Sequence, residues 1–258
     1  MTILDKLVEA TKARVARQKQ ILSLDELKPR VQIENNFTYP FELALKKDAM
    51  SFICEVKKAS PSKGLIVKDF DYKKIAVEYE IAGADAISVL TEPDFFQGKD
   101  AYLKEIKEAV SIPVLRKDFI IDEYQIYQAK FIKADAILLI VSILTPEKLK
   151  EFIALAERLG LSALIEAHDE KEVETALWAG AKIIGVNNRN LKTFEVNLNN
   201  SVRLRKFVPK EILFVAESGI SKPEDVKLLK ENNVNAILVG ESIIKSADKK
   251  AALAQLKG

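Results

Sequence analysis

Ala82-Gly83-Ala84-Asp85-Ala86-Ile87 returns in altered form as Lys133-Ala134-Asp135-Ala136-Ile137, as Ala179-Gly180-Ala181-Lys182-Ile183 and as Val234-Asn235-Ala236-Ile237. Each copy reads as a helix end running directly into a strand. The strand side is a short, continuous apolar run rather than an alternating one, the pattern of a strand buried on both faces of a parallel sheet. Eight such runs occur: Ser51–Val56, Asp85–Leu90, Pro113–Leu115, Asp135–Val141, Ser162–Ile165, Lys182–Val186, Ile212–Ala216 and Asn235–Val239. A strand-helix unit repeated eight times with right-handed crossovers closes into an α/β fold of the (β/α)8 TIM-barrel type. An open doubly wound sheet is the alternative. It typically has fewer strands and a glycine-rich first turn, and no Gly-x-Gly-x-x-Gly occurs here.

The intervening segments carry helix signals. Thr145-Pro146 precedes the helical spacing of Glu147–Leu159, and Gly160 follows it. Asp71 opens a helix through Ile75 and Tyr79 that exits at Gly83; Asp169 and Glu172 give a capping-box-like start to a helix closed by Gly180. Residues 1–45 do not fit the repeat. Leu4, Leu7 and Val8, with Lys6, Lys12, Arg14 and Arg17, predict an amphipathic helix packed on the barrel, and Asn35–Pro40 reads as a linker. The expected organisation is a helical extension, 1–45, on a barrel, 46–258, forming one structural domain.

Composition narrows the function. The 258 residues are 48% apolar and 30% charged, enough for a large core under a well-charged surface. Forty Lys and Arg against 38 Asp and Glu leave a net charge of +2 with no dense basic block, which argues against nucleic acid. One cysteine, Cys54, and one histidine, His168, make neither a disulfide nor a Cys/His metal set, so the expectation is a metal-free cytoplasmic protein. The apolar run around Ile137–Val141 is far shorter than the roughly 18 residues of a membrane span, and the N-terminus lacks a signal-peptide core.

Barrel active sites lie at the C-terminal ends of the strands, and here those ends are polar. The first carries Glu55 and Lys57, the third Arg116-Lys117-Asp118, the fifth Glu166, the sixth Asn187-Asn188-Arg189 and the seventh Glu217-Ser218-Gly219. Strand alternation puts Glu55 and Lys57 on one side. A single such end is readily explained as a salt-bridged rim, but five together suggest carboxylates and ammonium groups that shift one another's pKa for acid–base work. Glycine turns after the last two strands, at Ser218-Gly219 and Gly240-Glu241, are placed to hold a phosphate. Lys58–Gly64 reads as a loop able to close over an anion. His168 is expected to be exposed at a helix start, and Trp178 and Cys54 to be packing residues.

These ends resemble the indole-3-glycerol phosphate synthase family over essentially the whole chain. The motifs are Glu55-Val56-Lys57-Lys58-Ala59-Ser60-Pro61-Ser62, Leu90-Thr91-Glu92 with Phe95-Phe96-Gln97-Gly98, Leu115-Arg116-Lys117-Asp118-Phe119, Glu166, Asn187-Asn188-Arg189, Ala216-Glu217-Ser218-Gly219-Ile220 and Val239-Gly240-Glu241-Ser242. The resemblance implies a cofactor-free and metal-free ring closure on a small phosphorylated substrate, with loss of carbon dioxide and water. It implies Lys117 as general acid, Glu166 as general base, and Lys57 either binding the substrate carboxylate or sharing the acid role. Glu55, Asn187 and Glu217 would orient these groups and bind sugar hydroxyls, with Arg189 steadying Asn187. Ser60, Ser218, Gly219, Gly240 and Glu241 would hold the phosphate. Phe96, Phe119 and Leu191 would form an apolar slot for an aryl ring, covered by the N-terminal helix. Asn190, where the family usually has aspartate, and Lys99-Asp100, where it often has smaller residues, depart from the pattern at positions without chemistry.

Two other readings compete. A related isomerase barrel would rely on a catalytic cysteine and aspartate on early strands, whereas Cys54 lies within an apolar run. A non-catalytic scaffold would have lost at least one of Lys57, Lys117 and Glu166, and all three are present. The sequence carries no signal for oligomeric state; a monomer, with or without transient contacts to other pathway enzymes, is compatible with it.

Overall fold

Eight strands alternate with helices in a computed structural model that describes residues 2–31, 37–190 and 195–258. The strands are β1 (Ser51–Val56), β2 (Ala86–Leu90), β3 (Val114–Lys117), β4 (Ala136–Ile140), β5 (Ser162–Ala167), β6 (Ile183–Asn187), β7 (Leu213–Glu217) and β8 (Ala236–Val239). Each pairs in parallel with its sequence neighbour, and β1 also pairs with β8, so the sheet closes as a barrel. Several strands run further into their polar ends than the apolar pattern predicts. Leu90 pairs with Lys117 and Asn187 with Glu217, because ladder hydrogen bonds come from the backbone and are indifferent to side-chain polarity.

The repeated junction has a physical basis. Gly83, Lys133, Gly180 and Asn233 all end their helices with positive φ, at 85°, 67°, 92° and 59°. The acidic or amide residue two positions later then ties one strand to its neighbour. Asp85 accepts from the Phe52 amide at 2.9 Å, Asp135 from Val114 at 2.7 Å and Asn235 from Phe214 at 2.9 Å. Where Lys182 takes that place it pairs instead with Glu157 at 2.8 Å.

Alternation separates two apolar layers. Ile53, Leu115, Leu164, Val215 and Leu238 fill the lumen, while Cys54, Ile137, Ile165, Phe214 and Ile237 meet the surrounding helices. Phe41 and Leu45, both fully buried on the short helix Pro40–Leu45, join the lumen cluster and so plug it below the strands. Sequence reading placed Pro40 at the end of a linker and did not find this plug. The predicted N-terminal helix is present over Ile3–Ile21, with Leu7, Thr11, Arg14 and Val15 buried. The segment after β1 is not wholly loop: Ala59–Ser60 pairs antiparallel with Gly64–Leu65. Among the described residues no helix is long and apolar enough to cross a membrane.

Candidate active site

Two residues beyond lumen-filling Ile53, Leu115, Leu164 and Val215 stand Glu55, Lys117, Glu166 and Glu217, so the period of two turns all four into the barrel mouth. They meet there. Lys117 Nζ lies 2.9 Å from Glu217 Oε2 and 3.5 Å from Glu166 Oε2. The Lys57 ammonium donates to Glu55 Oε2, and Asn187 Nδ2 donates to Glu166 Oε1 at 3.4 Å. Asn187 Oδ1 in turn accepts the Arg189 amide at 3.0 Å. The expected acid, base and orienting residues are thus one cluster, with all three glutamates buried.

Two glycines make room for it. A Cβ at Gly185 would come within 2.4 Å of Glu217 Oε1, and one at Gly240 within 2.7 Å of Glu55 Oε2. Gly240, expected to bind phosphate through its amide, therefore also has a steric reason to be glycine.

Buried charges of both signs set the protonation states. Burial opposes the Lys117 ammonium, but Glu217, Glu166 and Glu55 together outweigh it and hold the pKa above the usual lysine value. Burial opposes the Glu166 carboxylate too, yet Lys117, His168 and Asn187 bring its pKa down to about 2. Glu217 goes the other way: burial, reinforced by Glu166 and Glu55, outweighs Lys117 and raises it to about 7. Glu55 is held below the ordinary range, burial being overcome by Lys57 and Lys117. The site therefore presents a charged lysine and an ionised Glu166, the forms an acid and a base must start from.

Above the cluster the cavity is apolar on one side. Phe96 and Phe119, ring centroids 6.1 Å apart, line it with Ile3, Leu4 and Leu7 of the N-terminal helix, so this helix is both packed on the barrel and a wall of the cavity. Glu92 shapes the Phe96 loop by accepting the amides of Asp94, Phe95 and Phe96 at 2.9, 2.8 and 3.0 Å. Leu191, the third expected member of the slot, lies outside the described residues.

The expected phosphate residues are only partly gathered. Ser60 and Glu241 line the cavity, with Lys63 of the Ala59–Leu65 hairpin 4.0 Å from Glu241. Ser218, Gly219 and Gly240 do not line it. Ser218 and Gly219 share positive φ, 68° and 81°; Asn188 donates to the Ser218 carbonyl at 3.2 Å, and Val196 packs over Gly219. Among the described residues no three His, Cys, Asp or Glu side chains are grouped as metal ligands.

Residues 4–256 match the family model described as indole-3-glycerol phosphate synthase. The chain belongs to the indole-3-glycerol phosphate synthase family. Relatives named indole-3-glycerol phosphate synthase come from Ruminiclostridium cellulolyticum, 54% identical, and Endomicrobium trichonymphae, 56% identical, each alignment covering 99% of both chains. A solved 3-hexulose-6-phosphate synthase from Salmonella typhimurium superposes with a TM-score of 0.66 over 80% of this chain and 96% of that one. At 15% identity that likeness concerns the fold alone. Membership of the indole-3-glycerol phosphate synthase family makes the chain a decarboxylating carbon–carbon lyase of tryptophan biosynthesis.

Within this indole-3-glycerol phosphate synthase family barrel, other residues matter that motif reading passed over or misjudged. Asp118, next to Lys117, accepts from Arg14 Nη2 at 2.7 Å, Thr91 Oγ1 at 3.0 Å, Arg116 Nη2 at 3.1 Å and the Phe119 amide at 2.8 Å. Asp100, one of the departures, pairs with the same buried Arg116 at 2.9 Å. Asn190, the other, donates its backbone amide to the Glu195 carbonyl at 2.9 Å. His168 is not the exposed residue expected: its side chain is 20% exposed and Nε2 is 3.4 Å from Glu166 Oε1. Trp178, expected to pack, is 55% exposed at the last position of its helix, with Lys150 over its ring. Cys54 is buried as expected, and burial pushes its thiol up to about 12.

Proposed function

We propose that the chain converts 1-(2-carboxyphenylamino)-1-deoxyribulose 5-phosphate to indole-3-glycerol phosphate, with Lys117 as general acid and Glu166 as general base. The observation that carries this reading is Lys117 Nζ lying between Glu166 and Glu217 at the floor of a cavity walled by Phe96 and Phe119. The aryl ring goes to the apolar wall, which removes it from water. Lys117 donates its proton to the ketone oxygen as the ring carbon bearing the carboxylate attacks the carbonyl carbon. Departure of carbon dioxide restores the ring electrons. Loss of the hydroxyl as water needs an acid at its oxygen and a base for the remaining proton, and Glu166 takes that proton.

Lys57, paired with Glu55, is available to bind the substrate carboxylate or to share the acid role. Glu217 holds Lys117, and with Glu55 and Asn187 it meets the sugar hydroxyls; Arg189 steadies Asn187. Ser60 and the two turns Ser218-Gly219 and Gly240-Glu241 receive the phosphate, a role favoured by the glycines that follow the last two strands. Leu191, outside the described residues, is assigned to the aryl slot by the resemblance alone. Residues 1–45 form an extension that supplies one wall, and 46–258 the barrel that supplies the chemistry.

The purified protein, given this substrate without added metal or cofactor, should generate indole fluorescence, and Lys117→Ala should lose about 100-fold or more in kcat. Folded wild-type protein that forms no indole product would overturn the reading. Lys117→Ala at full rate would remove Lys117 from the acid role.

A further inference from the structure

His168 follows Glu166 by two residues, so it turns the same way, one step beyond the end of β5. Its ring lies between two carboxylates: Nδ1 is 3.0 Å from Glu172 Oε2, and Nε2 is 3.4 Å from Glu166 Oε1. An ionised carboxylate only accepts, so Nδ1 carries a hydrogen toward Glu172. A neutral ring in that tautomer would aim its Nε2 lone pair at the second carboxylate. Two acceptors at the two nitrogens therefore favour an imidazolium, and although burial works against it, Glu166 and Glu172 raise the pKa to about 10.

Glu172 is itself braced. The capping box expected at this helix is displaced by one residue: Asp169 Oδ1 accepts the Glu172 amide at 2.9 Å, but Glu172 Oε2 accepts the His168 amide, at 2.8 Å. Asn200 Nδ2 donates to the His168 carbonyl at 3.2 Å. The other charged groups lining the cavity onto which the ring opens are Asp169, Arg189 and Glu195.

The two oxygens of Glu166 are divided between neighbours. Oε1 faces His168 and Asn187, and Oε2 faces Lys117. Nε2 is buried and lacks a hydrogen-bond partner among the described residues, its approach to Oε1 falling short of bonding geometry. We propose that His168 is a positioning residue: an imidazolium held by Glu172 that engages Oε1 of Glu166 when substrate draws Lys117 away, leaving Oε2 for proton transfer. This rests on Glu166 being the base.

His168 is the sole histidine, so imidazole 15N NMR of the full chain reports on it alone. Both ring nitrogens should stay protonated from about pH 7 to 9, and Glu166→Gln should shift the Nε2 signal and lower its titration midpoint. His168→Gln should lower kcat about 10- to 100-fold with KM within about twofold. It should also move the acid limb of the kcat profile to higher pH, since a cation beside the carboxylate is gone. Glu172→Gln should move the profile the same way by less. A ring titrating near about 6.5 and blind to Glu166→Gln overturns the proposal. So does His168→Gln with wild-type kcat and profile. If that variant does not fold, the spectra of wild type and Glu166→Gln decide. Full turnover by Glu166→Gln would instead sink the base assignment, a failure read on a different protein.

Discussion

Asp118→Asn should be among the most damaging single-atom changes near the site. The carboxylate is fully buried and accepts from two guanidiniums, a hydroxyl and the Phe119 amide. Burial works against its charge, but Arg14 and Arg116 hold the pKa below the usual carboxylate range. The stability it contributes is therefore present above the ordinary value of 3.8 and lost as pH falls through the folded value. Asparagine keeps one acceptor oxygen and turns an NH2 toward a set of donors in which only the Thr91 hydroxyl can also accept, and that oxygen already takes Arg116 Nε at 3.2 Å. Arg116 retains Asp100, but Arg14, 7% exposed, has no other hydrogen-bond or salt-bridge partner among the described residues, Asp100 and Glu92 acting on it only through space. Stranding one member of a buried pair costs about 3–5 kcal/mol. Because Asp100 and Glu92 still act on Arg14 through space, the low end of that range, about 3 kcal/mol, is expected. For a chain of this size that lowers Tm by roughly 6–12 °C. Thermal unfolding at neutral pH measures it, and Arg14→Leu in the same background should recover part of the loss by removing the stranded charge. A single variant within about 1 kcal/mol of wild type, or a double variant showing the plain sum of both losses, would refute the reasoning.

Gly185→Ala should lower kcat with little change in fold, because its Cβ meets Glu217 Oε1 and displaces the carboxylate that holds Lys117; unchanged steady-state kinetics would contradict this. Leu7→Asp should raise KM more than it lowers kcat, since Leu7 walls the apolar side of the cavity away from the acid and base. The stability carried by His168 is complete below its unfolded value of 6.5 and lost as pH rises through about 10. Denaturation midpoints of His168→Gln should accordingly vary less between these pH values than those of wild type.

The barrel and the convergence of charged side chains at its mouth were legible in the chain because both follow from short-range periodicity. The eight apolar runs and the repeated helix-to-strand junction need only neighbouring residues to be read. So does the step of two that carries Ile53 to Glu55, Leu115 to Lys117, Leu164 to Glu166 and Val215 to Glu217. Once the sheet closes, residues sharing that phase must converge in one lumen. The proposed substrate and roles, which periodicity alone does not give, come from the resemblance to a family.

What closure brings together from distant elements was not legible. The guanidinium of Arg14 and the carboxylate of Asp118 are 104 residues apart, and nothing in either local pattern marks them as partners. Phe41 and Leu45 plug the lumen from a six-residue helix too short to show a period. His168 read as an exposed helix start because Asp169 is a good cap. Only the fold shows that Glu172 reaches past that cap to grip the histidine and turn it against Glu166. Local sequence determines which face a side chain takes, since backbone geometry repeats every two or 3.6 residues. Which charge it meets there depends on long-range packing, and only the tertiary structure decided that.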